Sequence, residues 1–293
     1  MRIACLGAVL MDQIARVERF PGLDDEVFVS DLKLMPGGSA ANTAVLLSRL
    51  GFNVSFFSKV GNDAIGESLL ADFEEEGVDA SGIARSHFST GTVFVAVRPD
   101  GERMMFAHSG ASNDIDPEFI DNMQTGECTH LFLSGLENIA ALTRAARIFN
   151  GKVILNPGAL VADKKEGARE LLKYVDILIC SKEEAEKLSC AGERDTKELA
   201  SKLHDLGPGA VVITSGQKDS FASEKDGMTA KEKTFKVDVV DTTGAGDAFC
   251  AGFLSKYLSG AELKDSVKFG NLVASRIISN LGARNGIKKG EDL

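Results

Sequence analysis

Short apolar, β-branched runs alternate with longer amphipathic stretches along most of this chain, and few folds accept that rhythm. The runs at residues 2–9, 54–58, 129–134, 152–155, 176–180, 210–214 and 234–239 are predicted strands. Between and after them, residues 40–50, 64–76, 183–189, 195–206, 247–259 and 262–280 carry the helical pattern. All but 183–189 end against a glycine, namely Gly51, Gly77, Gly207, Gly260 and Gly282, the residue that most easily takes the left-handed turn closing a helix. Repeated strand-helix units predict an α/β fold: a three-layer sandwich with a central, mostly parallel sheet and helices on both faces.

Two stretches break the rhythm, at 12–35 and 90–108. In the second, Thr92-Val93-Phe94-Val95-Ala96-Val97 alternates, Pro99-Asp100-Gly101 turns, and another extended run follows, which reads as an antiparallel hairpin. With no helix between their extended runs, the two stretches are expected to pair in space as a small antiparallel β lid of about four strands. The division expected is therefore a core of residues 1–11, 36–89 and 109–293 and a lid of 12–35 and 90–108, the lid doubling as a candidate homodimer surface.

The net charge of −10 removes any basic footprint, which argues against nucleic acid and anionic membrane as partners. Cys5, Cys128, Cys180, Cys190 and Cys250 are scattered with no C-x-x-C pair, as expected of reduced thiols in a cytoplasmic protein. The apolar run from Ile3 to Met11 is short and ends in Asp12 without a cleavage pattern, so it reads as a first buried strand rather than a secretory signal. No apolar stretch approaches the ~18 residues needed to cross a bilayer. His87, His108, His130 and His204 have no metal-ligand spacing.

The segment from Val240 to Phe249 carries the chemistry. Gly244 and Gly246 permit backbone conformations in which successive N–H groups converge on one anion, and the helix that follows adds the positive end of its dipole. Asp247, in that first turn, is expected to be ionised and placed to take a proton from a hydroxyl. On its own the segment equally suits a tight strand-helix connection with a capping Asp. Gly244-Ala245-Gly246 lacks the third glycine of a dinucleotide fingerprint, since Phe249 stands there, and G-x-x-x-x-G-K-[ST] is absent from the chain, so dehydrogenase and P-loop readings fail. A second glycine motif, Pro36-Gly37-Gly38-Ser39-Ala40-Ala41-Asn42, opens the helix at 40–50, with Asn42 offering donors and an acceptor suited to sugar hydroxyls. Two glycine-opened helices in one α/β domain suggest two ligands meeting at the carboxyl ends of strands.

Gly37-Gly38-Ser39-Ala40-Ala41-Asn42 and Asp241-Thr242-Thr243-Gly244-Ala245-Gly246-Asp247 resemble the two signatures of the ribokinase-like family, the PfkB carbohydrate kinases. The similarity runs through Gly61-Asn62-Asp63-Ala64-Ile65-Gly66, the lid pattern and the closing Gly282-Ala283. It implies an ATP-dependent kinase phosphorylating a hydroxymethyl group of a sugar, or of a nucleoside as the alternative, with Asp247 as base and the amides of Gly244, Ala245 and Gly246 as anion hole. A non-catalytic sensor is the less favoured reading, since a sensor need not keep a base. Asp12, Gly38, Asn42 and Glu137 are the implied acceptor-binding residues; Asp12 alone would suit a turn cap, and Glu137 a solvated helix start. The nucleotide side is implied at Ser181, Glu184, Thr214, Gly216 and Asn271. Glu184 acts there on Mg²⁺ through water, and Ser181 stands where the family carries asparagine. Asp241 and Thr243 are implied as a site for a monovalent cation, K⁺; a helix-capping Asp241 is the plain alternative. Ribokinases typically carry lysine where this chain has Ser39, so ribose is not singled out as acceptor.

Overall fold

The computed structural model describes residues 1–192 and 194–291. In chain order the elements are β1 (Arg2–Gly7), β2 (Leu10–Arg16), β3 (Asp31–Gly37), α1 (Ser39–Arg49), β4 (Asn53–Gly61), α2 (Ala64–Glu76), β5 (Asp79–Ser86), β6 (Gly91–Val97), β7 (Arg103–His108), α3 (Pro117–Asp121), β8 (His130–Ser134), α4 (Ile139–Ile148), β9 (Lys152–Asn156), α5 (Gly158–Asp163), α6 (Lys165–Leu172), β10 (Ile177–Ser181), α7 (Lys182–Ser189), α8 (Thr196–His204), β11 (Ala210–Thr214), β12 (Asp219–Glu224), β13 (Thr229–Lys233), α9 (Ala245–Tyr257) and α10 (Leu263–Ile278).

Nine strands form one sheet in the order β13-β12-β11-β10-β9-β8-β1-β4-β5, parallel from β11 to β5 and antiparallel at β12 and β13. Both faces are covered. In β1 the period-2 alternation sends Ile3 and Cys5 into the core beneath α1, α2, α9 and α10, and Ala4 and Leu6 into a second core beneath α4, α6, α7 and α8. A strand buried on both faces reads as an unbroken apolar run, which is why 2–9 was legible. The α9 and α10 helices approach closely because Gly252 lies against Val273 and Gly270 against Phe249, where an added Cβ would come within 2.8–2.9 Å of those side chains.

The lid is a separate four-stranded sheet in the order β3-β2-β6-β7. Its outer pairings, β2–β3 and β6–β7, are antiparallel, and the two chain segments meet through a parallel β2–β6 pairing. The ladder begins at Leu10 and runs to Gly37, two residues beyond each end of the expected 12–35 segment. Its root is fastened by the Gly61-to-Gly66 motif. Asp63 caps α2 by accepting from Gly66 N–H at 2.8 Å, and it also accepts from the N–H and hydroxyl of Thr90, both at 2.7 Å, just before β6.

Three differences from the sequence reading have local causes. Residues 234–239 are not a strand: their apolar alternation is real, but they join no ladder, and Phe235, Val237 and Val239 are exposed. The pairing partners of the sheet edge are instead β12 and β13, a hairpin turning at Gly227 with φ 103°. The strand β5 was missed because Asp-Ala-Ser-Gly-Ile-Ala-Arg-Ser is poor in β-formers; its register shifts opposite Ser55 and Phe57, and Gly82 makes room for the Phe57 ring. The helices α3 to α6 lie in a stretch with short spacings and no glycine just past the last helical residue, the signal that marked every expected helix except 183–189. No helix among the described residues is long and apolar enough to cross a membrane.

Candidate active site

The α9 helix begins at Gly244, whose φ of 75° only glycine adopts without strain and whose α-carbon faces Ala283 so closely that a Cβ would sit 2.5 Å from its methyl. The preceding turn is held by Asp241. Its Oδ1 accepts from Thr243 N–H at 2.9 Å and from the Thr243 hydroxyl at 2.7 Å, and its Oδ2 accepts from Gly282 N–H at 2.9 Å. Arg103, reaching in from the lid strand β7, donates to the Thr243 hydroxyl at 3.0 Å and lies 3.9 Å from the Asp241 carboxylate. Among the described residues no side chain caps α9; the Ala245 N–H makes a long bond to the Thr242 carbonyl at 3.3 Å, and the start of the helix is otherwise available to an anion. Gly246 differs from Gly244: a Cβ there meets nothing within 4 Å, so packing does not demand glycine, and the space it faces is free for a ligand.

Asp247, in the first turn of α9, is 8% exposed. Burial pushes its carboxyl up to about 6, against the pull of hydrogen bonds from Asn42 and Ser39 and of the nearby Arg284 charge. Asn42 Nδ2 donates to Asp247 Oδ2 at 2.9 Å, and Asn42 Oδ1 accepts from Arg284 Nε at 2.8 Å. Asp12 faces the same group: burial raises it to about 6, with Arg284 pulling it down and the Asp247 and Asp241 carboxylates pushing it up. Gly37 leaves room for the Asp12 carboxylate, which a Cβ would approach to 2.5 Å, and Gly38, with φ 102°, lies against the Ala8 carbonyl. Glu137 accepts from Ser109, in the segment returning from the lid, at 2.5 Å. The structure thus gathers Asp12, Gly38, Asn42 and Asp247 where β1, the lid root and α9 meet, with Glu137 beside the lid's return.

On the other side of Asp247 a cavity of about 190 Å³ is lined by Ser39, Asn156, Ser181, Glu184, Thr214 and Gly246, among others. Ser181 and Glu184 form a reciprocal capping box at α7, Glu184 N–H donating to Ser181 Oγ at 3.2 Å and Ser181 N–H to Glu184 Oε2 at 2.9 Å. Burial raises the Glu184 carboxyl, offset in part by those bonds. Gly216 does not line this cavity; it sits in the turn after β11 with φ 59°. Asn271 is also elsewhere, buried at 3% exposure with its amide hydrogens on the Glu232 and Lys233 carbonyls and its oxygen taking the Ser220 hydroxyl at 2.7 Å, so it clamps α10 to β12 and β13.

Sequence reasoning missed two residues here. Asn156, the polar residue directly after the 152–155 run, was legible as a strand-end position. Arg284 carried no signal, because nothing in a lone arginine near the chain end tells that it will be 7% exposed beside two carboxylates.

Residues 1–290 match the pfkB family of carbohydrate kinases. The ribokinase of Haemophilus influenzae is 31% identical over 97% of this chain and 94% of its own length. A nucleoside kinase of Methanothermobacter thermautotrophicus is 29% identical over 97% of this chain and 92% of its own. Among solved structures, the ribokinase of Thermotoga maritima superposes with a TM-score of 0.88 at 27% identity, covering 98% of this chain and 96% of that one. The chain belongs to the pfkB family of carbohydrate kinases, phosphotransferases whose acceptor is an alcohol group.

Proposed function

We propose, with that membership as premise, that the chain moves the γ-phosphoryl group of ATP to a hydroxymethyl group of a sugar, Asp247 acting as general base. One observation carries the reading: a buried carboxylate sits in the first turn of a helix with no side-chain cap, between an acceptor-side cluster and a cavity onto which Gly246 opens. In the step, the acceptor O–H gives its proton to Asp247 and its oxygen bonds to the γ-phosphorus. The bond from that phosphorus to the β-phosphate oxygen breaks, and ADP leaves with the electron pair. Such a transfer needs mainly alignment and charge stabilisation, which the amides of Gly244, Ala245 and Gly246 supply to the phosphoryl oxygens. Asp12, Gly38, Asn42 and Glu137 hold the acceptor in this reading, and the lid of 12–35 and 90–108 excludes water as it closes.

In this reading Ser181, Glu184 and Thr214 face the nucleotide, while Gly216 and Asn271, expected beside it, lie outside the cavity, Asn271 holding α10 to β12 and β13. Glu184 fits a water-held Mg²⁺: one of its oxygens is bonded to Ser181 and the carboxyl is raised by burial, a state a divalent cation relieves. Mg²⁺ bound with the nucleotide neutralises charge on the phosphates. At Asp241 the fit to K⁺ is poor, since both carboxylate oxygens already accept backbone N–H groups and Arg103 stands beside them, so K⁺ enters no step here.

A nucleoside acceptor is the second reading, favoured by the 29% identical nucleoside kinase. A non-catalytic sensor is disfavoured by the retained Asp247. Measuring ATP consumption with ribose, fructose, 2-keto-3-deoxygluconate, adenosine, cytidine and inosine tests this: turnover of a sugar is expected, nucleoside-only turnover selects the second reading, and turnover of none refutes both. Leu32, Leu34, Met105 and Phe106 lie exposed on the lid's edge strands, which supports a homodimer through that sheet, to be checked by sedimentation. The five unpaired cysteines suit a reducing, cytoplasmic setting.

A further inference from the structure

We infer that Arg284 is a positioning residue for phosphoryl transfer: through its Nε–H it fixes the orientation of the Asn42 side-chain amide, so that the NH₂ end of that amide faces the Asp247 carboxylate. The inference rests on the reading of Asp247 as the base.

A side-chain amide has a donor end and an acceptor end of nearly equal size, and only its surroundings decide which way it lies. Next to an ionised carboxylate the two orientations differ sharply in consequence. With Nδ2 toward Asp247 the base accepts a hydrogen bond at 2.9 Å and is held in place, and the second amide hydrogen is left for an acceptor hydroxyl. With Oδ1 toward Asp247 two oxygens repel and the base swings away. The Asp247 carboxylate, which only accepts, favours the first orientation, and Arg284 locks it from the far side of Asn42, where Oδ1 accepts from Arg284 Nε at 2.8 Å. An arginine can do this because it is an obligate donor with no acceptor atom.

Arg284 is itself immobilised. Its Nη1 donates to Asp72 of α2, its backbone carbonyl accepts from Arg49 of α1, and Arg49 is paired in turn with Glu76 of α2. A chain of bonded groups therefore runs from the flank of α2 through Arg284 and Asn42 to the start of α9, joining residues 205 and 242 positions apart in sequence. The Arg284 Nη2 atom is buried with no hydrogen-bond partner among the described residues. Leaving a buried donor unpaired is unfavourable, so salt bridging to Asp72 alone is a poor account of why a guanidinium lies here. Its Nε contact with Asn42 and its charge beside Asp12 and Asp247 supply the rest.

The rival explanation is that Arg284 only braces the C-terminal segment against Asp72. Two variants of the full chain separate the two. Arg284→Gln can place an amide nitrogen where Nε stands, the orientation that the Asn42 oxygen favours, and so keeps a donor toward Asn42, while Arg284→Met removes it; both lose the bridge to Asp72. Assays run at pH 8, with ATP and an acceptor that the wild type turns over, stand above the wild-type Asp247 value of about 6, and the two variants lose the same Arg284 charge, so their comparison holds that change equal. Arg284→Met is expected to lower kcat about 10- to 100-fold, the scale of a misplaced reacting group, with KM for ATP unchanged within threefold. Arg284→Gln is expected to stay within threefold of wild-type kcat, although both variants lose thermal stability alike. Equal kcat losses in the two variants, or a wild-type kcat for Arg284→Met, overturn the inference. Should Arg284→Met not fold, Asp72→Asn makes the comparison from the other side: it removes the brace and keeps the donor, so a kcat loss beyond tenfold overturns the inference and a kcat within threefold of wild type supports it. Asp247→Asn, run in parallel, tests the underlying reading separately, since turnover near wild type there refutes the base whatever Arg284 does.

Discussion

Replacing Asp247 by Asn should make the protein more stable and nearly inactive at once. The carboxyl moves from an ordinary 3.8 to about 6 on folding because burial disfavours its ionised form. The unfolded chain therefore releases this proton more readily than the native one. At pH 7.5 ionisation of this one group costs the native state about 3 kcal/mol, an upper bound for a group of this burial. The cost is absent below pH 3.8, where the carboxyl is neutral in both states, grows as pH rises toward about 6, and is constant above. At pH 4.5 the same linkage leaves only about 1 kcal/mol. Asparagine carries no charge and can still accept from Asn42, so it escapes the cost. Asp12 adds in the same direction, because it loses the repulsion of Asp247. Urea unfolding followed by far-UV circular dichroism suits a chain with no tryptophan. The expected gap between variant and wild type is about 1–3 kcal/mol at pH 7.5, narrowing at pH 4.5, with kcat lower by about 10²- to 10⁴-fold. A variant that is less stable than wild type at pH 7.5, or a gap that does not narrow on acidification, refutes the reasoning on burial; retained turnover refutes the base.

Three further outcomes are expected. Gly244→Ala should cost about 1–2 kcal/mol in thermal denaturation, because alanine is strained at positive φ and its Cβ meets Ala283, whereas Gly246→Ala should melt like wild type yet raise KM for ATP or lower kcat at least tenfold; equal melting losses for the pair would contradict the assignment of open space to ligand. Asp63→Ala removes a helix cap and both bonds to Thr90, so a loss of about 2 kcal/mol is expected together with faster amide exchange at residues 88–92, and unchanged exchange there would mean that the lid root is held otherwise. Arg103→Ala should change stability by less than about 1 kcal/mol, as its ion pair is partly exposed, but should speed amide exchange in β6 and β7; exchange like wild type would show that Arg103 does not hold the lid down.

Local chemistry made much of the molecule legible before any coordinates. Positive φ at Gly51, Gly77, Gly207, Gly260 and Gly282 follows from backbone sterics that need no neighbour, so the helix stops were readable one by one. Burial on both faces writes itself as unbroken apolar runs, so most of the parallel strands were readable too, and Gly244 and Asp247 stood out because turn and helix dipole are local effects. Where the signal depended on a partner, reading by residue type failed. The alternation at 234–239 suits a strand, yet a strand exists only if another edge pairs with it, and that edge went to β12 and β13.

The amino-acid order alone determined the layered class, the ends of the glycine-stopped helices and the residue types proposed to face a phosphoryl group. Tertiary structure alone decided which of those residues meet. Asp247 is ordinary as a residue and becomes a carboxyl raised to about 6 only when α1 packs over α9 and excludes water from it. Arg284 turns the Asn42 amide only because the chain returns past α2 at its end. Backbone conformation is set within a few bonds, whereas desolvation and the direction of a hydrogen bond belong to neighbours that the chain brings together from hundreds of residues away.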